Sequence, residues 1–137
     1  MKKRFMVIAI AALTLVCLTF AACLIQYDLA PPRGPWLVGG APLNAPISGS
    51  ATGYSGGIVH VTITLTDGII TDVSFDLSSQ TASYAAGVYL ILPGIIRRQN
   101  SFNFDVTAGA TYTVNGIRQA AREAFLRAGV PPGDLSF

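Results

Sequence analysis

Cysteine and histidine are scarce in this chain, and their positions exclude several kinds of site. Cys17 and Cys23 are the two cysteines, and both lie in an apolar N-terminal segment, so the rest of the chain can form neither an internal disulfide nor a thiolate metal site. His60, the single histidine, falls on the polar side of a predicted strand, where a solvated or cross-strand-paired imidazole is expected. The sequence offers no Ser–His–Asp set, no metal cluster and no carboxylates paired at useful spacing. The residues alone therefore do not indicate a stand-alone enzyme.

Basic charge is also sparse beyond the first four residues. The formal net charge is +2, but Lys2, Lys3 and Arg4 precede the apolar segment, and without them six arginines face seven acids. The remainder of the chain is close to neutral, with no basic stripe and no basic residues interleaved with aromatic ones. Such a surface lacks the charge that holds a phosphate backbone, so we expect no nucleic-acid partner.

The N-terminus carries the longest apolar run of the sequence. Residues Phe5–Ile25 are uncharged and follow the basic start, and at about 1.5 Å per residue they are long enough to cross a bilayer. An uncleaved anchor would leave the rest of the chain on the extracytoplasmic side, by the positive-inside rule. Alternatively, FAAC at residues 20–23 resembles the lipobox of bacterial lipoproteins, and cleavage there makes Cys23 the lipidated first residue. Under either alternative, residues 1–26 are a signal or anchor segment that tethers the domain outside a bacterial-type membrane.

Residues 27–48 are rich in proline and glycine and show neither a strand period nor a helix period. They are predicted to form an extended linker between the membrane segment and a domain at residues 49–137. Trp36 lies inside this linker, and we expect its ring to pack back on the domain rather than to contact a ligand.

A β-hairpin gives the clearest local signal, in GGIVHVTITLTDGIITDVSFDL at residues 56–77. Apolar and polar residues alternate on both sides of Asp67-Gly68, a dipeptide typical of two-residue hairpin turns. The alternation predicts one buried face, formed by Val59, Val61, Ile63 and Leu65 in the first strand and by Ile69, Thr71, Val73 and Phe75 in the second.

The second half of the chain is predicted to be mainly helical. Residues 81–92 suit a short helix ending before Pro93, residues 93–99 a second one, and SFNFDV at 101–106 a short strand. An amphipathic helix follows, with Thr113 as N-cap, Gly129 just past its end, and an apolar face of Val114, Ile117, Ala121, Ala124, Phe125 and Ala128. These elements predict a small α+β domain: an antiparallel sheet built on the hairpin, short helices and a C-terminal amphipathic helix.

Small residues and hydroxyls lead into this last helix, in DVTAGATYT at residues 105–113. A helix N-terminus presents unpaired N–H groups and a partial positive charge, and a loop of glycine and alanine lets an anion come close to them. The stretch therefore suits a phosphate site, and it suits an ordinary N-cap equally well.

Two stretches of the sequence resemble a known family: GYSGGIVHVTITLTDGIITDVSF, from residue 53, and IIRRQNSFNFDVTAGATYTVNGIRQAAREAF, from residue 95. They are similar to the flavinylated FMN-binding domain found in the sodium-translocating NADH:quinone reductase and in the Rnf complex, over about residues 49–130. The resemblance implies an FMN cofactor, electron transfer, a flavin transferase that attaches the cofactor, and a membrane redox partner. It implies an electron carrier rather than an independent enzyme.

The family's attachment signal is an Asp, two residues, a Ser or Thr and then Gly-Ala-Thr, and residues 105–111 are similar to it. The resemblance makes Asp105 the acid, Gly109 and Ala110 the small pair, and Thr111 the acceptor of a phosphoester to FMN. Ala108 stands where Ser or Thr is usual in the family, which takes one hydroxyl from the loop.

Two tyrosines complete the implied flavin site. Tyr112 follows the acceptor, so its N–H would lie beside the ester, and Tyr54 belongs to GYSGG, which is similar to the GYGG-type turn before the family's hairpin. The turn has two interpretations: a tight glycine bend that folds Tyr54 against the sheet, or an aromatic contact with the isoalloxazine ring. Gln80-Thr81 stands where the family often has Glu-Thr.

Two alternatives to a covalent electron carrier stay open. One is a module that binds FMN or a related flavin non-covalently, an alternative that Ala108 keeps open. The other is a structural or adhesive surface lipoprotein that has kept the fold and lost the flavin.

Overall fold

The computed structural model of the protein describes residues 32–104 and 111–135. The predicted signal or anchor segment with Cys23, the start of the predicted linker, and the segment 105–110 with Asp105, Gly109 and Ala110 lie outside the described residues. Of the helices within the two described ranges, none is both long and apolar enough to span a bilayer.

The described residues form an α+β domain, which confirms the predicted class. Its strands are β1 (Leu37–Val38), β2 (Ala41–Pro42), β3 (Pro46–Thr52), β4 (Ile58–Thr66) and β5 (Ile69–Asp76), and its helices are α1 (Ala82–Gln99) and α2 (Thr111–Arg127). Short helical turns lie at Tyr54–Gly56 and Pro132–Asp134. β1 pairs with β2, and β3, β4 and β5 form an antiparallel sheet in that order.

β4 and β5 form the predicted hairpin. Asp67 and Gly68 both have left-handed backbone conformations, with φ of 52° and 74°, as a type I′ turn requires. His60 is exposed on β4, directly opposite Asp76 on β5, in agreement with its assignment to the polar face. The predicted apolar face of β4 is buried throughout: Val59, Val61, Ile63 and Leu65.

The predicted face of β5 is wrong at the start of that strand. The pairing register shifts between Thr64 and Leu65, so that Thr71 is the extra residue of a β-bulge. Ile70 is consequently buried and Ile69 exposed, the reverse of the prediction, because inserting one residue exchanges the two faces of a strand.

The predicted linker is wrong for residues 32–48, which fold with the domain. Trp36 is fully buried: its ring stacks on Phe125 with the centroids 4.0 Å apart, and its indole N–H donates to the Asn100 carbonyl at 3.0 Å. β1, β2 and the start of β3 follow directly. The prolines and glycines here shape short strands and tight turns around an aromatic anchor. The expectation that Trp36 packs on the domain is confirmed.

α1 is one helix, although the sequence predicts two short helices meeting at Pro93. The proline removes one backbone hydrogen bond, to the carbonyl of Tyr89 one turn earlier. A buried stripe nevertheless continues past it: Val88, Leu92 and Ile96. Packing of this stripe offsets the missing bond, so the helix continues until Asn100 ends it with a left-handed backbone at φ 50°.

α2 ends as predicted but begins three residues earlier than a Thr113 N-cap implies. It starts at Thr111, so Thr113, the predicted N-cap, lies buried inside the helix. Gly129 has φ 92°, and the N–H of Val130 donates to the Phe125 carbonyl at 3.0 Å, which is a Schellman C-terminus. The predicted apolar face is buried at Val114, Ile117, Ala121, Ala124 and Phe125, while Ala128 is half-buried.

The short strand predicted for SFNFDV is absent from the described part of that stretch, residues 101–104. Phe102 and Phe104 are both buried, and the ring of Phe102 meets Phe125 edge-on at 6.3 Å. The alternating aromatic pattern therefore reflects burial in the core and not pairing in a sheet.

α2 approaches the sheet most closely at a glycine of β3. A Cβ on Gly49 would lie 2.7 Å from the Ala124 nitrogen and closer still to the Ala120 carbonyl oxygen. The helix therefore rests almost on the strand backbone, which an alanine would prevent. This contact fixes where the N-terminus of α2 lies relative to the turn that follows β3.

Candidate functional site

The first turn of α2 holds the predicted acceptor. Thr111 and Tyr112 are the first two residues of this 17-residue helix, and both are exposed. The first N–H groups of a helix have no partner within it and carry a partial positive charge. The other residues predicted for the attachment signal, Asp105, Gly109 and Ala110, lie outside the described residues. The structure therefore places Thr111, the predicted acceptor, on the surface at an electropositive helix end.

The structure brings Tyr54 and Tyr112 together, although they are far apart in the sequence. Their ring centroids are 6.1 Å apart, with the ring planes inclined by 54°. Tyr54 is 47% exposed and Tyr112 is 70% exposed. Two accessible aromatic faces beside the helix start are suited to packing against a flat, partly apolar ring.

Gln80 is the central side chain of the site, and it was not among the predicted site residues. It is only 8% exposed. Its Oε1 accepts a hydrogen bond from the backbone N–H of Tyr54 at 2.8 Å and another from the hydroxyl of Thr113 at 3.1 Å. One carbonyl oxygen therefore ties the Tyr54–Gly56 turn to the first turn of α2. The hydroxyl of Thr113, inside the helix, is thus used to bind Gln80.

Glycines make room for this amide. A Cβ on Gly53 would lie 2.6 Å from Gln80 Oε1, and a Cβ on Gly57 would lie 2.6 Å from Gln80 Nε2. On the helix side, a Cβ on Gly116 would lie 3.0 Å from the Cα of Gly53. The structure thus supports the bend interpretation for the glycines of GYSGG, while Tyr54 keeps an accessible ring.

Arg118 lies on the other side of the helix start. Its Nη1 donates to Asn115 Oδ1 at 3.3 Å, its Nη2 donates to the Phe104 carbonyl, and its Cζ lies 4.9 Å from the centroid of the Phe104 ring. Seven residues make about two helical turns, so Arg118 shares a face with Thr111, and its bond to Asn115 directs the guanidinium back toward the N-terminus. This cation joins α2 to the last residue before segment 105–110.

The charge of Arg118 is not neutralised by a carboxylate in the part of the chain that the structure describes. Arg127, by contrast, pairs with Glu123 at 2.6 Å one turn earlier. The Arg118 cation lies on the face of α2 that carries Thr111, so it adds positive charge on the same side of the helix as the partial charge of the N-terminus and favours an anionic group on that side. The site consequently has an electropositive side at Thr111 and an aromatic side at Tyr54.

Two buried hydrogen-bond donors, Gln80 Nε2 against the first turn of α2 and Arg118 Nε two turns into that helix, have no acceptor among the described residues. Buried polar groups are usually paired, so such atoms indicate where a ligand or an ordered water supplies the partner. A ligand rich in acceptor oxygens, with an anionic end and a flat ring, matches these donors, the helix N–H groups and the two tyrosines.

His60 takes no part in this constellation. It faces Asp76 on the exposed side of the sheet. The backbone N–H of Ser78 chiefly holds the pKa of Asp76 below its ordinary value, and the Ser78 hydroxyl and the nearby His60 add to this effect. In the two ranges that the structure describes, no group of three or more His, Cys, Asp or Glu residues is arranged to hold a metal ion.

A protein-family model for the FMN-binding domain matches residues 53–125. The match includes the Tyr54 turn, Gln80, the predicted acceptor Thr111 and most of α2, and it covers more than half of the chain. The chain matches no solved structure.

Proposed function

Because this chain belongs to the FMN-binding domain family and FMN is therefore its cofactor, we propose that it carries FMN esterified to Thr111 and relays electrons. The position of Thr111 carries the proposal. This residue is exposed at the first position of α2, where an enzyme can reach it. A phosphoester formed there would meet the positive end of the helix, an attraction of about 0.3–1 kcal/mol when exposed and more when partly buried.

The residues around Thr111 fit the parts of FMN. The N–H groups at the start of α2 and the guanidinium of Arg118 would hold the phosphate. The rings of Tyr54 and Tyr112 would cover part of the isoalloxazine and exclude water from it. When bound, FMN supplies the electron transfer, and these residues supply attachment, orientation and shielding. We therefore propose a carrier that works between a membrane reductase and an acceptor outside the membrane.

The ester bond requires a second enzyme, a flavin transferase. In the step we propose, the Thr111 oxygen attacks the FMN phosphorus of FAD, a phosphoester bond forms, the phosphoanhydride bond breaks, and AMP leaves. The hydroxyl proton passes to a base of the transferase. Asp105 would be read by the transferase together with its magnesium ion or would order the loop, because a carboxylate repels phosphate. We further propose that residues 1–26 tether the domain on the extracytoplasmic side, as an uncleaved anchor or through a lipid on Cys23.

The test is to produce the full chain with a flavin transferase in an export-competent bacterium. The wild type, Thr111→Val and the control Thr107→Val are compared by flavin fluorescence in a denaturing gel. We expect fluorescence in the wild type and in the control, because both keep the acceptor hydroxyl, and none in Thr111→Val. Fluorescence that persists in Thr111→Val would refute attachment at this residue.

The same site supports a second function, a module that holds FMN without a covalent bond. Its aromatic faces and its donors without a described acceptor do not depend on an ester, and Ala108 removes a hydroxyl from the attachment signal. Flavin that co-purifies with the native protein but is lost on denaturation would select this function. A chain without flavin in both conditions would instead support the structural or adhesive alternative.

A further inference from the structure

The buried amide of Gln80 has a donor that no described residue accepts. The side chain is 8% exposed, its Oε1 accepts two hydrogen bonds, and its Nε2 has no partner in residues 32–104 and 111–135. The two amide ends cannot be exchanged, because the N–H of Tyr54 must face an acceptor and would otherwise meet an NH₂ group. The unused group is therefore the NH₂, on the Gly57 side of the amide.

The unused donor lies on the ring side of the site. Thr113, the helix residue bonded to Gln80, is about 200° around the helix from Thr111, so the amide is turned away from the phosphate side. Its other partner is the backbone of Tyr54, whose ring meets that of Tyr112. What this amide can reach is the ring end of a flavin attached at Thr111.

Resting on the proposed function, we propose that Gln80 contacts bound FMN, with its Nε2 donating a hydrogen bond to a carbonyl oxygen of the pyrimidine part of the flavin ring. The same amide uses its Oε1 to hold the Tyr54 turn and α2 around the ring. The turn at Tyr54–Gly56 buries no residue of its own and has left-handed backbone at Ser55 and Gly56, with φ of 55° and 79°. Moving it to admit the ring therefore exposes little apolar surface.

A hydrogen-bond donor at the position of Gln80 Nε2 would affect the reduction potential of the bound flavin. Reduction places negative charge on the pyrimidine part of the ring, and a neutral NH₂ donor stabilises that charge better than no donor. A carboxylate in its place keeps an oxygen for Tyr54 and Thr113 but repels the charge. Gln80 therefore raises the midpoint potential of the bound flavin.

The test compares the wild type with Gln80→Glu, which is nearly isosteric, keeps the acceptor oxygen and replaces the donor. Gln119→Glu is the matched control, since it adds the same charge at an exposed position of α2. The full chain is titrated with FMN and with riboflavin by quenching of flavin fluorescence, and midpoint potentials are measured on protein loaded by the transferase. We expect Gln80→Glu to bind both flavins about tenfold more weakly and to have a lower midpoint potential, and Gln119→Glu to match the wild type.

The outcomes separate this proposal from the proposed function. If the wild type holds flavin and Gln80→Glu matches it in affinity and midpoint potential, the role of Gln80 is refuted while flavin binding stands. A loss for FMN but not for riboflavin would place the contact at the phosphate and refute the ring assignment. If the wild type acquires no flavin by either route, the proposed function fails and this proposal fails with it.

A measurement on the wild type tests the same hydrogen bond even if the Gln80→Glu variant does not fold. In ¹H–¹⁵N NMR spectra, the side-chain NH₂ protons of Gln80 are expected to move downfield when flavin binds, because they gain an acceptor. The side-chain NH₂ protons of the exposed Gln119 are expected to stay in place. Unchanged Gln80 NH₂ resonances in the flavin-bound protein would refute the hydrogen bond without any substitution.

Discussion

Replacing Trp36 with alanine is expected to destabilise the domain severely, although this residue lies in a segment whose composition is typical of a linker. The side chain is fully buried, stacks on Phe125 at 4.0 Å and has the Arg33 guanidinium 3.4 Å from its ring centroid. An indole buries about 150–250 Å², which at about 25 cal/mol per Å² corresponds to about 4–6 kcal/mol as an upper estimate. Substitutions of this type usually cost about 3–5 kcal/mol.

Thermal unfolding followed by far-UV circular dichroism measures this loss, because the variant no longer contains the single tryptophan. For a domain of this size, about 1 kcal/mol changes Tm by about 4–8 °C, so we expect Trp36→Ala to lower Tm by at least about 12 °C. The neighbouring Leu37, which is 42% exposed, provides the control, and Leu37→Ala should change Tm by only a few degrees. A loss below about 1 kcal/mol for Trp36→Ala would refute the assignment of residues 32–48 to the folded domain.

Two further substitutions test the site and the sheet. Arg118→Gln should reduce the fraction of the chain that carries covalent FMN in a denaturing gel, because the variant no longer joins α2 to Phe104. The control Arg122→Gln loses a bond at the far end of α2 and should acquire FMN normally. Equal FMN loading of the two variants would contradict this role of Arg118. The second substitution concerns Asp76, whose pKa is lowered mainly by the Ser78 N–H. The charged form of Asp76 therefore stabilises the fold above about pH 4, and this stability is lost as the pH falls through the lowered pKa. Urea unfolding should therefore show Asp76→Asn less stable than the wild type at pH 7, with the difference closing below about pH 4; a difference independent of pH would contradict it.

The sequence predicts those elements whose signals are local. Asp67-Gly68 needs only its own backbone preferences to form the hairpin turn, and Gly129 needs only a left-handed backbone to end α2. The errors arise where distant packing decides the structure. Pro93 is tolerated because buried residues on both sides of it hold α1 together, and Thr71 forms a bulge because Ile70 is buried instead. Neither fact can be read from the neighbouring residues.

The candidate site could be predicted from the sequence where one segment contains its residues, and could not where three segments contribute to it. Thr111 and Tyr112 follow from a short motif, and the structure adds that they begin the helix. Gln80 gains its position from a turn, a strand exit and a helix that are far apart in the sequence. One signal was present in the chain: Gly53 and Gly57, on either side of the Tyr54–Gly56 turn, leave space that this amide fills.

The contacts on both sides of segment 105–110 indicate how a transferase could reach Thr111, the proposed acceptor, without loss of the fold. The residue before segment 105–110 is Phe104, which is buried and bonded to Arg118, and the residue after it begins α2, which rests on β3 at Gly49. Both flanks of the segment are therefore anchored in the core that the described residues form. A transferase that engages residues 105–111 would not have to open that core. Attachment of the flavin should accordingly cost little free energy of unfolding, because the residues that would be engaged for attachment are not those that form the core.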